Sequence, residues 1–114
     1  MFYTQLTEQA PTINALAALA AAYGHLPVPY ITVQTTGPAV DLQLDCPADF
    51  EAWRSALGVA PAAVTLHAYA GQTWLATNTL FRGIKVVLSG HGLPITVEQA
   101  RTSQVAPVSL VRAA

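Results

Sequence analysis

Residues 73–90, TWLATNTLFRGIKVVLSG, constrain this chain more than any other stretch. Trp74, Leu75, Leu80, Phe81, Ile84, Val86, Val87 and Leu88 concentrate β-branched and aromatic mass on either side of Arg82-Gly83. Thr77-Asn78-Thr79 and Gly83 are weak helix formers, so two strands joined by a tight turn fit this window better than a helix. The expectation is a β-hairpin at the centre of an antiparallel sheet.

Further alternating segments supply its neighbours. In residues 30–35 (YITVQT) and 40–45 (VDLQLD) apolar and polar positions alternate, with a turn at Thr36-Gly37-Pro38-Ala39. Val40, Leu42 and Leu44 then face a core while Asp41, Gln43 and Asp45 face away. Residues 64–70 (VTLHAYA) read as another strand, turning at Gly71-Gln72 into the Trp74 hairpin.

Two helices are expected. Over residues 12–23 the spacing of Ile13, Leu16, Leu19 and Tyr23 gives one apolar stripe, entered by Pro11 and left at Gly24. The opposite side is alanine, which suggests cover on more than one side. Residues 47–57 carry Pro47 in the first turn, Asp49 and Glu51 at the positive end of the helix dipole, and Gly58 at the exit. Phe50, Trp53 and Leu57 form the buried stripe. Residues 1–7 read as an extended lead-in or a short first strand.

The resulting fold class is α+β: two helices on one face of an antiparallel sheet of about five strands, in the order α-β-β-α-β-β-β. Residues 1–92 form the core domain. Residues 93–114 form a C-terminal arm, a short helix at 96–103 and an extended segment at 105–111, packing on the core or on a partner subunit. Gly24, Pro27 and Gly37 recur as Gly58, Pro61 and Gly71 at one constant offset, which raises a duplicated αββ unit.

Composition matters because of what must cover this sheet. The chain has 114 residues, 53% hydrophobic and only 10% charged, against roughly 25% charged in ordinary soluble domains. So few charges leave apolar or neutral surface either exposed or buried against another subunit. The charges also segregate. Glu8, Asp41, Asp45, Asp49 and Glu51 stand against Arg54 in residues 1–57, while Arg82, Lys85, Arg101 and Arg112 stand against Glu98 in residues 58–114.

Chemistry-bearing patterns are sparse. Cys46 is the single cysteine, so no intrachain disulfide forms. No serine lies in a nucleophile elbow, and His25, His67 and His91 lack the spacing of a metal site. Ser89-Gly90-His91-Gly92 has no Gly-Lys-Ser/Thr continuation, so it reads as a turn rather than a phosphate loop. Asp41 and Asp45 are about 13 Å apart at strand rise, too far for a glycosidase pair. No catalytic residue, cofactor or metal is expected.

The apolar segment at residues 13–22 has no preceding basic residue and about half the length of a membrane span, so no signal peptide or membrane insertion is expected. A cytoplasmic protein is the expectation. Alanine richness and four arginines to one lysine suggest a GC-rich bacterial genome.

The sheet face away from the helices is expected to be open. It would carry Tyr30, Thr32, Gln34, Asp41, Gln43, Thr65, His67 and Tyr69; alternation leaves the phase of the hairpin open, and one of its two phases adds Trp74, Asn78 and Lys85, with Arg82 at the tip. Three functions follow. The leading one is a non-enzymatic binding or regulatory module, a homodimer acting through the open face and the C-terminal arm. The second is single-stranded nucleic-acid binding, with the aromatic face stacking bases and Arg82 and Lys85 meeting phosphates. The third is a small-molecule binder or small enzyme with a pocket between sheet and helices.

Overall fold

In the sequence IKVVLSG, Val86, Val87 and Leu88 are consecutive and all buried, as in a strand with a neighbour on each edge. This strand takes the middle of the sheet. The structure, a computed structural model, describes residues 2–91; the segments expected at 96–103 and 105–111 lie outside them. A 3-10 turn at Leu6–Gln9 leads into α1 (Ala10–Ala22), followed by β1 (Tyr30–Val33), β2 (Ala39–Leu44) and α2 (Pro47–Ala56). After a 3-10 turn at Pro61–Ala63 come β3 (Thr65–Tyr69), β4 (Gln72–Phe81) and β5 (Ile84–Gly90). The class is α+β with the element order read from the sequence.

Strand order is β1-β2-β5-β4-β3. Three neighbouring pairs are antiparallel, but β2 and β5 run parallel, from Ala39 opposite Lys85 to Leu44 opposite Gly90. The sheet is therefore mixed, which corrects the expectation of an antiparallel one. Tight turns force hairpin partners to be antiparallel, whereas β5 meets β2 only after α2 and the β3–β4 hairpin have intervened. Alternation of apolar residues carries no information about that direction.

Both tight turns place two successive residues at positive φ, Ala70-Gly71 and Arg82-Gly83. That backbone matches the twist of the strands it joins, as type I′ turns do. Gly58 also has positive φ at the exit of α2, but Gly24 and Gly37 do not. The glycines of the sequence echo thus do different conformational jobs, and the echo extends no further than element order.

The core lies between the sheet and the helices. Val40, Leu42, Leu44, Ile84, Val86 and Leu88 meet Ala15 and Leu19 of α1 and Phe50 and Trp53 of α2. Phe50 is fully buried and presses on Gly90, where an added Cβ would stand 2.8 Å from the Phe50 Cβ. The glycine is there because α2 comes that close.

α2 is the better anchored helix. Cys46, extended, precedes it, Pro47 opens it, and the Trp53 indole N–H donates to the Pro27 carbonyl at 2.8 Å. Near its end the Arg54 guanidinium donates to both Glu51 carboxylate oxygens and reaches the Val59 carbonyl. The Glu51 carboxyl is held below its ordinary range chiefly by that hydrogen bond, and Arg54 is raised by it.

α1 is oriented differently from expectation. Thr12, Ala15 and Leu19 are buried, Leu16 and Tyr23 pack at the margin, and Ile13 is 40% exposed. With alanine on every side of α1, the stripe drawn through Ile13 had little to compete against, and the helix settles with small Ala15 and Thr12 inward.

Candidate functional site

The register places the expected face residues together. Residues opposite one another on neighbouring strands point to the same side, so Tyr30, Gln43, Ser89, Ala76 and Thr65 form one row across the outer face. Thr32, Asp41, Val87 and Asn78 form the next row, and Leu80 and Lys85 a further one. His67 and Trp74 lie opposite each other on the same face. This fixes the phase of the hairpin that alternation alone left ambiguous. Arg82 lies in the β4–β5 turn, its guanidinium 5.5 Å from the Phe81 ring centroid.

The face is not uniform. His67 and Trp74 stack with centroids 5.4 Å apart, and Trp74 stacks in turn on His91 at 6.1 Å. His67, Trp74 and Val87 are buried, while Asn78, Leu80 and Lys85 are exposed. The exposed aromatics, Tyr30 and Tyr69, stand on the two opposite edge strands, roughly 19 Å apart at ordinary strand spacing. Asp41, in the middle of the face, accepts a 2.8 Å hydrogen bond from the Gln34 amide. A continuous platform of exposed rings beside basic side chains, the arrangement base stacking uses, does not arise among the described residues.

A second surface was missed at the sequence level, although its signal is plain. Residues 9–40 contain no Asp, Glu, Lys or Arg. They fold into one side of the molecule: α1, the connector to β1, and β1 itself at the sheet's edge. Val28 is 89% exposed, Tyr30 67%, and Ile13 and Ile31 are also open. The N-terminal segment joins this side, because Tyr3 N–H donates to the Thr35 carbonyl and the Gln9 amide to that of Gln34. Exposed Phe2 and Leu6 extend the apolar surface.

Among the described residues, only the Thr35 end of this edge has a backbone partner outside the sheet. Gln34 N–H bonds inward to Ala39, whereas the Thr35 carbonyl bonds outward to Tyr3. By the alternation of an antiparallel ladder, Ile31 and Val33 direct their backbone groups to the edge. Native sheets commonly protect such edges with lysine, bulges or covering elements; β1 has no charged side chain.

Beneath the connector lies an apolar cavity of about 320 Å³ between α1, β1 and α2. Leu19, Leu42 and Trp53 form its buried floor, and Tyr23, Val28 and Ile31 are among its walls. Elsewhere, no group of three or more His, Cys, Asp or Glu side chains among the described residues is arranged to hold a metal ion. No described helix is long and apolar enough to cross a membrane. Comparison with protein-family models, characterised proteins and solved structures returns no significant match.

Proposed function

We propose that this protein is a non-enzymatic binding or regulatory module that works as a homodimer. The observation that carries the reading is the uncharged side built by residues 9–40, with an exposed apolar edge strand in its middle. A second copy is the partner that this surface fits best. Antiparallel pairing of β1 with its two-fold mate satisfies the outward backbone groups of Ile31 and Val33, and brings Tyr30 and Val28 of each copy against the other. The exposed end of the outer sheet face, with Asn78, Leu80 and Lys85, then remains for a protein partner.

Amide hydrogen exchange tests the pairing at the residues concerned. The Ile31 and Val33 amides are expected to exchange slowly at high protein concentration and to lose protection on dilution. Rapid exchange of both at every concentration, with β5 still protected, would remove edge pairing from consideration.

A further inference from the structure

The cavity under the α1–β1 connector shares Val28 and Ile31 with the edge that would join two copies, but its floor of Leu19, Leu42 and Trp53 lies inside the single chain, and it has the size and lining of a ligand site. We propose that it binds a small uncharged molecule of one or two aromatic or alicyclic rings. The inference stands apart from the homodimer reading.

Four features support it. Its volume of about 320 Å³ lies within the range of small-molecule pockets, at the small end. No charged side chain lines it, so an ion entering would lose its hydration without gaining a counter-charge. The Tyr23 and Trp53 rings, tilted 45° with centroids 6.4 Å apart, give the walls aromatic surface on which a ring can rest. The Trp53 indole is already oriented by its hydrogen bond to Pro27, so the site is preformed rather than assembled around the ligand.

The test uses 2-naphthol, an uncharged fluorescent probe of two rings, and 2-naphthoate as an ionised comparison of matching size. The full chain is titrated while fluorescence and the two tryptophan indole N–H resonances are followed, with Trp53→Phe assigning the signals. Mass is measured in the same samples, so that failure of ligand binding and failure of assembly are read separately. The expected result is saturable binding of one probe per chain, with a Kd below about 100 µM. The Trp53 indole signal moves, that of Trp74 on the opposite sheet face stays, and naphthoate binds at least about tenfold more weakly. Ala20→Phe, from an exposed position of α1 at the cavity, should weaken the probe at least about tenfold while leaving the thermal midpoint unchanged or raised.

Absence of saturable binding would overturn the proposal. So would a shift confined to Trp74, equal affinity for naphthoate, or unchanged affinity in Ala20→Phe. A Trp53 signal that moves on dilution without probe, together with no probe binding, would mean that a second copy fills the cavity, and would overturn it equally.

Discussion

Phe50→Ala is expected to destabilise the fold by about 3–5 kcal/mol, the range for removing a fully buried ring. Domains of this size are commonly stable by only about 5–15 kcal/mol, so the variant should unfold at much lower urea concentration. Phe50 is the side chain through which α2 sits on β5, and Gly90 is the floor beneath it. Gly90→Ala attacks the same contact from the other side. Its Cβ would lie 2.8–2.9 Å from Phe50 Cβ, Cγ and Cδ1, and overpacking of that kind costs about 1–3 kcal/mol. Combining Gly90→Ala with Phe50→Leu should recover part of that loss, because the smaller side chain makes room for the methyl group. Urea unfolding of the two single variants and the double measures the coupling. Strictly additive losses would mean that α2 does not press on Gly90.

Tyr30→Lys combined with Thr32→Lys should have the largest effect on assembly. Both side chains are exposed on β1 and point to the outer sheet face, away from the core and from the cavity beneath the connector. In a two-fold β1 pair, each new lysine faces the lysines of the other copy, so every substitution acts twice. Like charges across an antiparallel pair oppose association, which is how natural edge strands are protected. A dimer dissociation constant raised at least about 100-fold is expected, equivalent to roughly 2.7 kcal/mol. Thermal stability of the isolated chain should change little. Leu80→Lys is the control, since Leu80 is 75% exposed but lies on β4. Equal loss of the dimer in both variants would place the contact on the outer sheet face, and loss only in the control would exclude the β1 edge.

Much of the fold was legible because local chemistry decided it. Pro47 and Gly58 bracket α2, Arg82-Gly83 turns β4 into β5, and alternation through Val40, Leu42 and Leu44 sets the inner face of β2. The parallel β2–β5 pair was not legible, since no residue pattern marks which distant strand will lie alongside another. The rotation of α1 was hidden by alanines that suit every direction. For the candidate face, strand phase grouped Tyr30, His67 and Tyr69 on one side, while only the strand register brings Trp74, Asn78 and Lys85 to that side. It could not reveal that His67 and Trp74 are buried in a stack while the exposed tyrosines stand on opposite edges. The uncharged run at residues 9–40 was readable throughout; its meaning emerged only when α1 and β1 proved to share one side.

The most direct test is the mass of the unaltered chain in solution, by size-exclusion chromatography with light scattering over a wide concentration range. Homodimerisation requires the mass of two 12.0 kDa chains, dissociating only on dilution and little affected by added salt, because the contact contains no charge to screen. A single-chain mass at every concentration would contradict it.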